Sequence, residues 1–186
     1  VLQSVFGVDA DDEIPYRRVE LALEKSGVPF VILRPNWFAD NFRTYWGPGI
    51  RAAGVIAVPA GEGRTSFIEA RDIAASAVAA LTSDRFDGRA FNLTGPATHS
   101  YGEAAAILSG GLDKPVRYDA VDDATFVGIL TGAGVPADYA GFLATIFHPV
   151  REGWTAAVTG DVEELTGLRP ITLDQYVRDD RAAIVG

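Results

Sequence analysis

Asn36, Trp37 and Phe38 follow directly on an apolar run, Phe30 to Leu33, that is closed by Arg34 and Pro35. The side-chain amide of Asn36 has two donor hydrogens and an acceptor oxygen, the set that matches a carboxamide-bearing ligand. The two neighbouring rings supply flat apolar surfaces suited to an aromatic one. Such a loop either packs as core or lines a crevice. Its position at the carboxyl end of a strand favours the crevice, because open α/β sheets bind ligands there.

Tyr16 and Glu20 are four residues apart in a helical segment and are predicted to share a face. Tyr16 is the candidate proton donor, set against a plain reading as an exposed or packing tyrosine. A lysine in the second position would lower the phenol pKa. A carboxylate raises it, the wrong direction for donating a proton near neutral pH.

Other chemistries are absent from the residue list. The chain has 186 residues, no cysteine and two histidines, His99 and His148, far apart in sequence. Disulfides, thiolate zinc sites and a cysteine nucleophile are therefore excluded, and no metal site is expected. Ser4 lacks a nearby base and a nucleophile-elbow pentapeptide. The one glycine pair that approaches a phosphate loop, Gly61 and Gly63, leads into strand-like Thr65 to Ile68 rather than into a helix, so a turn is expected. Arg71-Asp72 reads as a helix opening with Asp72 as cap. A net charge of −9 argues against a nucleic-acid partner. No apolar run approaches the roughly 20 residues of a spanning helix, so no membrane partner and a cytoplasmic location are expected. The chain contains no methionine, so Val1 is not a retained initiator.

The elements that must position these residues are legible as periodicities. Val1 to Phe6 reads as a buried strand, Pro15 to Ser26 as a helix stopped at Gly27, and Phe30 to Leu33 as a strand covered on both faces. Val55 to Val58 and Thr65 to Ile68 read as a hairpin or loop pair, Ala90 to Leu93 and Val116 to Tyr118 as strands. Helices are predicted over Ile73 to Leu81, Ala104 to Leu108, Asp122 to Leu130, and Pro136 to Arg151 with a kink at Pro149. Capping boxes are predicted at Ser100/Glu103, Asp161/Glu164 and Thr172/Gln175. The predicted architecture is α/β, with residues 1–95 as a parallel sheet portion and 96–186 as a helical lobe of the same unit.

Together these segments resemble the NmrA-like branch of the atypical short-chain dehydrogenase/reductases, most closely its NAD(P)H:quinone oxidoreductase-like members. The resemblance lies in Tyr16-Arg17-Arg18-Val19-Glu20, Ser26-Gly27-Val28-Pro29, Leu33 to Phe38 with Asn41, Phe67-Ile68 before Arg71-Asp72-Ile73-Ala74, Leu93 to Pro96, and Ser100-Tyr101. It covers nearly the whole chain. It implies the C-terminal portion of a Rossmann-like fold with a small helical substrate lobe, the glycine-rich N-terminal half being absent.

By that resemblance Ser4, Val5 and Phe6 line the nicotinamide ribose, and Pro35, Asn36 and Phe38 meet the nicotinamide of NADP or NAD. Trp37, Asn41 and Phe67 border a small-molecule substrate. Val5 or Ser4 stands at the family's serine position and Glu20 at its lysine position. The implied activity is hydride transfer to a quinone or similar electrophile. The alternative is a non-catalytic NAD(P)-sensing regulator. Tight cofactor binding is expected to require the missing half, and an uncovered sheet edge predicts association with another copy or inclusion in a longer chain.

Overall fold

Short apolar runs become strands, and the longest ones pair in parallel. The computed structural model describes residues 1–186. Its strands are β1 (Leu2–Gln3), β2 (Val31–Pro35), β3 (Val55–Val58), β4 (Arg64–Thr65), β5 (Arg89–Leu93), β6 (His99–Ser100) and β7 (Arg117–Ala120). Its helices are α1 (Pro15–Glu24), α2 (Gly47–Ala53), α3 (Ala70–Leu81), α4 (Tyr101–Leu112), α5 (Asp123–Gly132), α6 (Ala137–Thr145), α7 (His148–Arg151), α8 (Asp161–Thr166), α9 (Leu173–Asp179) and α10 (Arg181–Val185). None is long and apolar enough to cross a membrane.

The main sheet has the order β1-β2-β5, all parallel. Every residue of β2 is buried, as its unbroken apolar run requires of a central strand. One face of this sheet meets α3 and α8 through a core that includes Val31, Leu33, Phe91, Leu93, Ile73 and Val162. A second, larger core gathers α2, α4, α9 and β3 around Phe42, Phe67, Tyr101, Phe147 and Tyr176. Burying each such side chain stabilises by about 1.5–3 kcal/mol.

Of the two readings for Val55 to Ile68, hairpin or loop, the loop is the one formed. β3 pairs in parallel with β7, and β4 pairs antiparallel with β6. Each small sheet thus takes one strand from either side of residue 95, and the two stretches are folded into each other. At Gly63, in the turn between β3 and β4, a Cβ would stand 2.2 Å from the Val150 carbonyl oxygen, so α7 packs directly on that turn and only glycine fits there.

Two cap assignments also change. α3 begins three residues earlier than predicted, with Glu69 as its cap accepting the Arg71 N–H at 2.8 Å. Asp72 instead reaches across to the Ile171 N–H at 2.8 Å. Asp161 makes no cap. Its carboxylate accepts the Asn92 N–H at 2.6 Å and so ties α8 to β5. The Ser100/Glu103 box forms in both directions, and Thr172 caps the Gln175 N–H. The predicted helix Pro136 to Arg151 breaks into α6 and α7 around Phe147, with Pro149 in the first turn of α7, where a missing N–H costs nothing.

Candidate functional site at the strand ends

The carboxyl ends of the three parallel strands come together. Ser4 N–H donates to the Leu33 carbonyl at 2.7 Å and Phe6 N–H to the Pro35 carbonyl at 3.1 Å, so β1 continues alongside β2 past its last ladder pair. Asn36 N–H donates to the Leu93 carbonyl at 2.9 Å, joining the end of β2 to that of β5. Ser4 and Pro35 are buried, Phe6 is partly buried and Val5 is exposed. The Ser4 hydroxyl is buried without a well-formed hydrogen bond, although it faces Glu20 closely enough to favour that carboxylate.

Asn36 is buried, and its amide is fully engaged by the protein. Nδ2 donates to Ser66 Oγ at 2.8 Å and to the Thr155 carbonyl at 2.9 Å. Oδ1 accepts from the Trp37 N–H at 2.9 Å and from Thr65 Oγ1 at 3.3 Å. This revises the expectation that the amide is free for a ligand carboxamide, since its bonding positions are already filled. Asn36 instead bolts the strand end to the segment Gly153 to Thr159. That segment makes further bonds from Thr155 Oγ1 to the Arg64 carbonyl (2.9 Å), from Ser66 Oγ to the Ala157 carbonyl (2.7 Å) and from Thr159 N–H to Thr94 Oγ1 (3.0 Å). It carries no periodicity, capping pattern or motif, and sequence reasoning missed it for that reason.

The loop's two rings part company. Trp37 packs with the larger core, Phe38 with the sheet core beside the Ile68 bridge. Trp37 lies near-parallel to Trp46, with centroids 6.0 Å apart, and 4.8 Å from Phe147. Phe67 is 3% exposed and packs on Phe42, Trp46 and Tyr101, with Trp46 the ring it shares with Trp37. Asn41 uses its backbone carbonyl to accept the Trp46 N–H at 2.9 Å. The expected substrate residues Trp37, Asn41 and Phe67 therefore surround one aromatic cluster, and Phe67 is a wall of it that solvent does not reach.

Tyr16 and Glu20 stand one turn apart on α1 but in different surroundings. Tyr16 is 56% exposed, whereas Glu20 is fully buried. Arg34 Nε and Nη2 donate to the two Glu20 oxygens at 2.9 and 2.7 Å, and Arg17 adds a bond at 2.9 Å. Arg34 also reaches Asp9 at 2.5 Å. Burial works against the Glu20 charge, but the bonds from Arg34, Ser4 and Arg17 outweigh it and hold the carboxyl below its usual range. The plain reading of Tyr16 as an exposed tyrosine fits this placement, and Glu20 belongs to a buried arginine–carboxylate clamp. Its sequence signal was Arg34 itself, a charge inside a buried strand that demands a partner.

The parallel β1-β2-β5 order, with helices packed on the sheet, defines a Rossmann-like α/β class. No protein-family model matches the chain. It is 34% identical over 161 residues to an NAD(P)H azoreductase of Xenophilus azovorans, covering 87% of this chain and 56% of that protein. It is 30% identical over 172 residues to prestalk A differentiation protein A of Dictyostelium discoideum, covering 92% and 57%. The chain thus spans little more than half the length of these relatives. Its fold matches an NADPH-dependent quinone oxidoreductase of Escherichia coli with a TM-score of 0.84, at 24% identity over 95% of this chain and 65% of that one. The NmrA negative transcriptional regulator in complex with NAD gives 0.59 at 14% identity, covering 87% and 55%. The resemblance to NmrA-like and quinone-reductase-type proteins is borne out.

Proposed function

We propose that this chain forms the strand-end and acceptor-facing part of an NAD(P)H-dependent reductase of a quinone or similar small electrophile. The observation that carries the reading is the meeting of Ser4 to Phe6, Pro35 and the Trp37 ring cluster at the carboxyl ends of adjacent parallel strands. Relatives that reduce small molecules with NAD(P)H support it.

The residues suit one end of a dinucleotide. Ser4 supplies a buried hydroxyl at the end of β1, beside Glu20 and without a well-formed hydrogen bond of its own. Ser4, Val5, Phe6, Pro35 and Phe38 are the residues proposed to border the nicotinamide, with Asn36 holding the loop and Trp37, Asn41 and Phe67 framing the acceptor. The other end has no counterpart, because Gly61 to Gly63 is a packed turn between β3 and β4. Tight binding of NADP or NAD is therefore proposed to need the glycine-rich half that the family resemblance places before these residues.

When bound, the reduced dinucleotide supplies a hydride. The protein's share is then alignment of donor and acceptor and exclusion of water by the ring cluster. Tyr16 is the candidate proton donor. It has no carboxylate or ammonium partner to tune it, and that also favours a second reading, an NAD(P)-sensing regulator without turnover. Loss of nicotinamide absorbance is to be followed with a panel of quinones, using this chain and any longer natural chain that contains it. Quinone-dependent oxidation supports the reductase. Cofactor binding without oxidation by any quinone supports the sensor.

A further inference from the structure

Two of the three tryptophans, Trp37 and Trp46, are half-buried against other rings, whereas Trp154 is 63% exposed. The backbone that carries this open indole is fixed on both sides. Before it, α7 closes on Gly153, whose φ of +76° suits glycine. The Gly153 and Trp154 N–H groups return there to the Val150 and Pro149 carbonyls at 3.0 and 2.9 Å. After it, Thr155 is 7% exposed. Its carbonyl accepts Asn36 Nδ2 at 2.9 Å and the Ser66 N–H at 3.3 Å, and its hydroxyl donates to the Arg64 carbonyl at 2.9 Å. Asn36 directly follows β2, and neighbouring Cα atoms are about 3.8 Å apart, so Trp154 stands beside the carboxyl end of the central strand. The ring of His148, half-exposed at the start of α7, meets the indole at 5.4 Å between centroids and 80° between planes.

We infer that Trp154 is the ring on which the acceptor lies, with His148 as the hydrogen-bond donor that meets a carbonyl at its rim. The amide of Asn36, filled by the protein's own groups, is spent on holding the segment that presents this indole. A platform fixed before binding lowers the ordering cost of taking a ligand. An apolar contact across a helix end of this type is common, and it accounts for the meeting of His148 and Trp154. Being edge-to-face, it covers at most one face of the indole, and an open face takes a flat ring by offset stacking. Val158, 50% exposed on the same segment, adds apolar surface. The class admitted is a flat aromatic system that bears a carbonyl and no negative charge. The Glu152 carboxylate, 3.9 Å from His148 Nδ1, and the net charge of −9 disfavour an anion. The ligand's carbonyl chemistry rests on the reductase reading, while the platform rests on exposure and anchoring.

The test titrates the 186-residue chain with a simple naphthoquinone and follows indole N–H and imidazole signals by NMR, assigned with Trp154→Phe and His148→Gln. Saturable shifts are expected at Trp154 and His148 and not at Trp46 or His99. Trp154→Ala is expected to weaken binding about ten-fold and Trp154→Phe about three-fold, with the unfolding midpoint unchanged because the side chain is exposed. His148→Ala is expected to weaken binding about three-fold, and His148→Gln, which keeps a donor, to restore it. A naphthoquinone sulfonate is expected to bind more weakly than the uncharged quinone. Phe142→Ala, which removes an exposed ring of α6, is expected to change nothing. Parental affinity in folded Trp154→Ala, an equal loss from Phe142→Ala, tighter binding of the sulfonate, or no saturable shift in the parent chain overturns the assignment. Quinone bound at Trp154 without NADPH oxidation by any chain would count against the reductase reading and leave the platform standing. Turnover in a longer chain with kcat/KM unmoved by Trp154→Ala would do the reverse.

Discussion

Glu20 shows how one residue changes the chemistry of the site. A carboxylate with no exposure persists only when its charge is answered, and here Arg34 answers it bidentately with Arg17 as a third contact. Removing the charge strands two guanidinium groups, one of them buried. Glu20→Gln is therefore expected to cost about 3 kcal/mol or more in urea unfolding at neutral pH. The pH dependence has a definite sign. The folded carboxyl titrates below its unfolded value of about 4.3, so its contribution is complete above that pH and is lost as pH falls through the lower folded value. The stability difference between wild type and Glu20→Gln should thus shrink in acid and stay constant from pH 6 to 8. A difference that grew in acid would contradict the clamp. Asn36 makes a parallel case. Asn36→Ala leaves the Trp37 N–H and the buried Thr65 hydroxyl without a partner and should cost about 2–4 kcal/mol, since each buried orphan costs about 1–3. Tyr16→Phe, at an exposed and unpartnered site, should change stability by less than about 0.5 kcal/mol. In a chain that turns over, it measures directly whether any proton comes from this phenol.

At the scale of elements, the legible parts were those with a local physical cause. β2, α1 and the Ser100 cap were readable because an unbroken apolar run, a proline at the first turn and a Ser-x-x-Glu pattern each act within a few residues. The pairing of β3 with β7 and of β4 with β6 was not readable, because register across distant segments is set by packing rather than by local pattern. The same holds for the Gly153 to Thr159 strap, whose bonds all run to residues far away in sequence. Glycine makes this dependence testable. At Gly95, just past the end of β5, a Cβ would stand 1.9 Å from the Phe67 carbonyl oxygen. Backbone presses on backbone there, with no flexible side chain to yield. Gly95→Ala is expected to destabilise by about 2–3 kcal/mol, the overpacking range, as read by thermal or urea unfolding. Gly128→Ala, in α5 with open space around it, should be neutral or slightly stabilising because alanine is the better helix former. Equal effects at the two positions would mean that β5 and the Phe67 segment do not meet this closely.

For the molecule as a whole, the balance lies between what the strand ends can grip and what they leave ungripped. A dinucleotide is held chiefly by its pyrophosphate, through a glycine turn at a helix N-terminus, and by its adenosine ribose, through an acidic residue further on. Neither feature occurs in these 186 residues, whose glycine turn at Gly61 to Gly63 is filled by α7. What remains is the set of strand ends, Ser4, Phe6 and Pro35, proposed above to border the nicotinamide. β1 meanwhile pairs with β2 on one side only, and Val1 and Val5, which flank it, are exposed. Two consequences follow from the same cause. The isolated chain should bind NADPH weakly, with a Kd of roughly millimolar or weaker, because a small ring and one ribose supply only a few kcal/mol. It should also self-associate with rising concentration, because an unpaired parallel edge is a template for another strand. Isothermal titration with NADPH and sedimentation across a concentration series measure the two independently. Supplying the glycine-rich half on the same chain should tighten binding by several orders of magnitude and abolish the association together, since one added strand order would meet both needs. Micromolar NADPH binding by residues 1–186 alone would place a phosphate site where none is described here, and would overturn the division of labour proposed for the fold.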